Sequence, residues 1–138
     1  MKVLYEAGAT ATGGRDGRVS TDDGTLDLRM TLPKALGGAG VVGNNPEQLF
    51  ACGYAACFDN ALMHAARQHK IKLDGSRVDA TVGIGPNDQG GFALAVRLTV
   101  TVPGLPREQA QALIEQAHAV CPYSNAVRGN VEVALELR

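Results

Sequence analysis

The sequence contains no tryptophan, and its three tyrosines and three phenylalanines make up only 4% of the chain. So little π surface excludes the stacking platforms of single-strand nucleic-acid binders. An excess of charge is also missing. Thirteen Lys and Arg stand against 14 Asp and Glu, a formal net charge of −1, so the clustered basic surface that nucleic acid needs is not expected. No clean apolar run is long enough for a membrane span of ~20 residues, since Phe50 to Ala66 is interrupted by Asp59, Asn60 and His64. At the N-terminus, Met1-Lys2-Val3-Leu4-Tyr5-Glu6 reaches a carboxylate before a signal-peptide core could form. Gly83-Ile84-Gly85 lacks the third glycine and the following helix of a dinucleotide fingerprint. His64 and His69 miss the i, i+4 spacing that places two metal ligands on one helical face, and no cysteine pair has CxxC spacing. Neither a metal nor an organic cofactor is therefore expected.

What is present is a chain of 138 residues, 45% hydrophobic and 20% charged, the size and balance of one soluble domain spanning 1–138. Leu26, Leu28, Met30 and Leu32 alternate with Asp27, Arg29 and Thr31 as a half-buried strand does. Before it, Gly13-Gly14-Arg15-Asp16-Gly17 reads as a hairpin turn between Val3–Thr12 and Arg18–Thr21. Pro33 to Asn45 is a glycine-rich loop of a length often given over to function. Asn45-Pro46-Glu47-Gln48 then opens a helix: Asn caps, Pro suits the first position, and Gln48 completes a capping box. That helix runs to about His69 and is apolar nearly all round, so it is expected to be a central element wrapped by sheet. Val78 to Ile84 and Phe92 to Val102 alternate as an antiparallel hairpin. Ala110, Leu113, Ile114, Ala117 and Cys121 form one face of a second helix, which Pro122 stops. Val131, Val133, Leu135 and Leu137 alternate as a last strand, which completes an α+β domain.

Three cysteines, Cys52, Cys57 and Cys121, are an odd count without the spacing of a secreted framework, and in a reducing cytosol they are core residues or reactive thiols. Cys52 and Cys57 are five apart on one helix, ~8–9 Å between Cα atoms, beyond the ~7 Å limit for a bridge. Any intrachain disulfide must therefore use Cys121. A reactive cysteine needs its thiolate, which a guanidinium favours and a carboxylate can orient; Arg18 and Glu47 are the candidate pair. Without catalysis, Arg18 is a solvated residue at a strand start and Glu47 an acid facing the helix dipole. Glu47 lies ~15 Å along the helix from Cys57, so an arginine fork spans the gap or a second chain contributes Glu47. His118 reads as a helix surface or packing residue and Ser124 as part of a turn.

Asn45-Pro46-Glu47-Gln48-Leu49-Phe50, Gly53-Tyr54-Ala55-Ala56-Cys57-Phe58, the Gly13–Arg18 turn and Gly83-Ile84-Gly85-Pro86-Asn87 together resemble the Ohr/OsmC family. The block Cys121-Pro122-Tyr123-Ser124-Asn125, running on to Asn130, resembles its organic hydroperoxide resistance branch, and the likeness covers essentially the whole chain in order. The resemblance implies an Ohr/OsmC-like α+β fold, with antiparallel sheets wrapped around a long buried helix in an intertwined homodimer. It implies a thiol peroxidase for organic hydroperoxides with Cys57 as peroxidatic and Cys121 as resolving cysteine. Arg18 would stabilise the thiolate and Glu47 would orient Arg18. Lipoylated proteins or dihydrolipoamide would serve as reductant. Cys52 departs from the family pattern, which more often has a small residue without a thiol there. Read without the resemblance, the apolar helix and its cysteines also fit a carrier of a hydrophobic small ligand.

Overall fold

The computed structural model describes all of residues 1–138. Two compact units form, Met1–Leu49 and Phe50–Arg138. The first holds a three-stranded antiparallel sheet of β1 (Ala9–Thr12), β2 (Arg18–Thr21) and β3 (Asp27–Arg29) in that order. The expected strand from Val3 is cut to Ala9–Thr12, because only those residues and Gly8 find backbone partners on β2 and in the turn after it. β3 is likewise short, and pairing continues only as an isolated parallel bridge between Met30 and Asn44. That bridge closes the loop after Pro33: the Thr31 amide donates to the Asn44 carbonyl at 2.8 Å and the Asn44 amide to Arg29 at 3.2 Å.

Between β1 and β2 the chain makes a tight 3₁₀ turn, Gly14–Asp16. Gly13 is left-handed at φ 73°, a region open to glycine, and a Cβ on Gly17 would run into the Thr12 carbonyl. Only glycine at both ends permits this turn, and the turn sets Arg15 at its tip. Register fixes Arg18 differently. It sits opposite Arg29 on β3, with Asp27 on the same face one diagonal step away.

Helix α1, Pro46–Gln68, starts where the sequence predicts and stops one residue short of His69. Its capping box is complete: the Gln48 amide donates to Asn45 Oδ1 at 2.9 Å and the Asn45 amide to Gln48 Oε1 at 3.1 Å. Within one chain, α1 is covered along one side. Tyr54, Phe58, Ala61, Leu62, Ala65 and Ala66 form one buried stripe, whereas Cys52, Ala56 and Met63 are exposed. The i, i+4, i+7, i+8 rows of a 3.6-residue period explain the division: a single layer of neighbours covers one side of a cylinder.

The buried stripe packs on the second sheet, made of β4 (Arg77–Pro86), β5 (Phe92–Thr101) and β6 (Glu132–Leu137). Val96, Leu98, Val100 and Val102 are buried as the alternation predicts, but Phe92 at the hairpin end is exposed. β4 and β5 are antiparallel, whereas β6 runs parallel to β5. An all-antiparallel sheet fails because residues 102–131 form a helical crossover, which returns the chain to the start of the sheet before β6 begins. In that crossover α2 (Arg107–Val120) buries Ala110, Leu113, Ile114 and Ala117, the face expected from its spacing. Pro122 does end α2, yet it also opens a further short helix, α3 (Pro122–Val127), since proline suits the first helical position as well as it breaks an interior. Ser124 thus lies in a helix and not in a turn. No helix is long and apolar enough to cross a membrane.

Candidate active site

Cys57 and Cys121 meet in the second unit. Their sulfurs are 3.6 Å apart, both as free thiols. Two geometries produce this approach. Cys57 lies next to Phe58 of the buried stripe and is half-buried, while Cys121 occupies the single non-helical residue between α2 and α3 and is fully buried. Cys52 is exposed, and the helical phase that separates it from Cys57 keeps it out of the pair.

Burial pushes the Cys57 thiol above its ordinary pKa, the Tyr123 backbone N–H bonded to it pulls the value back, and the adjacent Cys121 pushes it up again. Tyr123 reaches this position because Gly53 lacks a side chain. A Cβ there would stand 2.8 Å from the Tyr123 hydroxyl and 3.1 Å from its ring. The Tyr123 ring lies 5.7 Å from that of Tyr54 and 6.0 Å from that of Phe50, centre to centre, an aromatic wall along α1.

Behind the sulfurs runs a chain of hydrogen bonds that sequence reading missed. Tyr54 Oη lies 2.8 Å from Ser124 Oγ, and Ser124 Oγ lies 2.9 Å from His118 Nδ1. Tyr54 and Ser124 are fully buried. Burial, and then the nearby Arg128 charge, hold the His118 pKa down, so the ring is held toward its neutral form. The legible signal is spacing: Tyr54 is three residues before Cys57, and His118 and Ser124 are three on either side of Cys121.

In the first unit Glu47 does not hold Arg18. Its carboxylate takes Arg15 in a bidentate fork, Arg15 Nη1 and Nη2 donating to Oε2 and Oε1 at 2.7 and 2.6 Å. The fork keeps the Glu47 carboxyl below its usual pKa, chiefly through those hydrogen bonds. Arg18 instead donates to Asp27 at 2.6 Å on the open face of the strands. The expected Arg18–Glu47 pair is thus replaced by Arg15–Glu47, because the glycine turn presents Arg15 to the start of α1 while the strand register commits Arg18 to Asp27.

An α+β chain with a long helix carrying one cysteine of a close pair, and a crossover carrying the other, defines a class recognisable by sequence and shape. Residues 37–136 match the family model of OsmC-like protein. The chain is 54% identical, over 99% of its length and 96% of the relative's, to the organic hydroperoxide resistance protein of Xanthomonas axonopodis pv. citri. It superimposes with a TM-score of 0.91 on the crystal structure of the organic hydroperoxide resistance protein OhrB of Bacillus subtilis, at 48% identity and covering 99% and 100% of the two chains. An organic hydroperoxide resistance protein from Elizabethkingia anophelis, with thiocyanate bound, matches at TM-score 0.95 and 55% identity over 99% and 98% of the chains. The chain belongs to the OsmC-like family, in its organic hydroperoxide resistance branch.

Proposed function

We propose that this protein is a cysteine-based reductase of organic hydroperoxides. The observation that carries the reading is the pair of free sulfurs 3.6 Å apart, one half-buried and one fully buried. In the first step the Cys57 thiolate attacks the distal peroxide oxygen. The O–O bond breaks, the alkoxide leaves and takes a proton to become an alcohol, and Cys57 becomes a sulfenic acid. In the second step the Cys121 sulfur displaces that hydroxyl; an S–S bond forms and water leaves. From 3.6 Å the sulfurs must close by about 1.5 Å to reach the ~2.05 Å of a disulfide. A dihydrolipoyl group, free or on a lipoylated protein, then reduces the disulfide and leaves as the cyclic lipoyl disulfide.

The environment of Cys57 opposes ionisation, so its activation calls for a cation. Arg15 takes that role in place of Arg18, since it is the guanidinium that Glu47 fixes. The aromatic pair of Phe50 and Tyr123 suits an alkyl or aryl tail, whose burial gains ~0.8 kcal/mol per CH₂. Hydrogen peroxide offers no such gain. The exposed side of α1, with Ala56 and Met63, is covered by a second copy in a homodimer, and a reducing cytoplasm keeps the resting thiols free.

The test is a peptide map of the reduced protein after equimolar cumene hydroperoxide, with thiols blocked during digestion. A Cys57–Cys121 disulfide with Cys52 free is expected. Three unreacted thiols would overturn the reading in favour of a carrier of hydrophobic ligands.

A further inference from the structure

One sulfur comes from α1 and the other from the residue that joins α2 to α3, and the buried hydrogen-bond chain ties these elements together beside them. Tyr54 stands one turn before Cys57 on α1, and residues three apart share a helix face. Ser124 stands three residues after Cys121, in α3, and His118 three before it, in the last turn of α2. With His118 neutral and Nδ1 unprotonated, Ser124 donates its hydroxyl proton to Nδ1, and Tyr54 donates its own to Ser124. Both buried hydroxyls are then committed. At the far end Arg128 donates to the His118 carbonyl at 2.7 Å and fastens the end of α2 to the segment after α3.

We propose that Tyr54, Ser124 and His118 are positioning residues for the resolving step, holding Cys121 against Cys57 so that the sulfenic acid is closed into a disulfide before a second peroxide reaches it. The inference rests on the peroxidase reading and assigns a task to residues which that reading leaves idle. Peroxide attack forms no bond to Cys121, so it does not require the two sulfurs to be brought into bonding register. Disulfide closure needs α1 and the junction of α2 with α3 to keep the two sulfurs in register while these move from 3.6 Å to bonding distance. The Tyr54–Ser124 bond links α1 to α3 beside them and limits how far the sulfurs can separate.

The experiment separates the two steps. Wild type, Tyr54→Phe, Ser124→Ala, the double variant and the hydroxyl-retaining Ser124→Thr are mixed with an alkyl hydroperoxide and quenched at intervals. Mass spectrometry then follows the Cys57 sulfenic acid, trapped with dimedone, and the Cys57–Cys121 disulfide. Tyr54→Phe should slow disulfide formation about tenfold, the factor carried by one hydrogen bond, and Ser124→Ala, which loses two, at least as much, while the first step keeps its rate. The double variant should be no slower than Ser124→Ala, which by itself already removes the Tyr54–Ser124 bond. Ser124→Thr should restore closure, and excess peroxide should drive the slow variants to sulfinic acid. Tyr54→Phe keeps the ring packing and so decides the matter even where Ser124 variants fold poorly. Disulfide formation at the wild-type rate in Tyr54→Phe, or equal slowing of both steps, would overturn the inference. A wild type that forms no Cys57–Cys121 disulfide overturns instead the peroxidase reading beneath it.

Discussion

Replacing Arg15 by alanine decides which guanidinium serves the thiol. Burial and Cys121 push the Cys57 thiol up, and the Tyr123 N–H pulls it back. An opposite charge lowers a pKa by about 1–3 units. With Arg15 in that role, the Arg15→Ala variant titrates above wild type. The thiolate fraction at neutral pH, and with it the rate with cumene hydroperoxide, then falls by about 10- to 1000-fold. Arg18→Ala, which breaks only the exposed pair with Asp27, should change neither quantity. The same variant reports on the fold. Two charge-assisted hydrogen bonds are lost, and with the Arg15 side chain 36% exposed their net worth is discounted to about 1 kcal/mol. For 138 residues that is roughly 3–5 °C in Tm. Arg15 lowers the Glu47 pKa from its ordinary 4.5, so this stability is present above about pH 4.5 and is lost as pH falls through the depressed folded value. Arg15→Ala should therefore be less stable at neutral pH and flatter on the acid side. The assays are a thiolate absorbance titration, stopped-flow peroxide kinetics and urea unfolding across pH. An unchanged Cys57 titration in Arg15→Ala, or a loss of rate in Arg18→Ala instead, would refute the reasoning.

Other outcomes follow from single contacts. Asn45→Ala removes both halves of the capping box and should cost about 1 kcal/mol in urea unfolding; an unchanged midpoint would mean that the cap contributes nothing. Leu62→Ala, at a fully buried position of α1, should cost about 2–5 kcal/mol. Gly53→Ala forces the Tyr123 ring off the helix and should slow peroxide reduction by at least about threefold, through the displaced Tyr123 N–H, with wild-type rates as the contrary result. Cys52→Ala should leave turnover intact, since Cys52 is exposed and out of phase with the sulfur pair.

Local chemistry made much of the molecule legible. The boundaries of α1 follow from Asn45, Pro46 and Gln48, which satisfy each other within one turn. The buried face of α2 follows from period alone, and so does the inner row of β5. What escaped was set by pairing at long range. The direction of β6 depends on where a helical crossover delivers the chain, which alternation in Val131 to Leu137 does not encode. Pro122 carries two readings, stop and start, and only packing around buried Ser124 selects both. Arg15 and Arg18 are three residues apart in one turn, and their partners are decided by strand register and by a glycine conformation, neither visible as a motif. The hydroxyl chain escaped for a similar reason: Tyr54 and Ser124 are 70 positions apart.

The separation of the two sulfurs along the chain also binds thiol chemistry to folding. Cys57 and Cys121 are 64 positions apart, so closing their bond ties off nearly half of the polypeptide as a loop. In the chain-entropy account such a loop removes freedom from the unfolded ensemble equivalent to about 4 kcal/mol. Oxidation would then make the protein harder to unfold, and by thermodynamic reciprocity the fold would make the bond harder to reduce by the same amount. Under the proposed mechanism each turnover would thus be a cycle between a looser and a tighter molecule, and the reductant would have to supply the difference. A dithiol would meet that demand through the ring it closes on leaving.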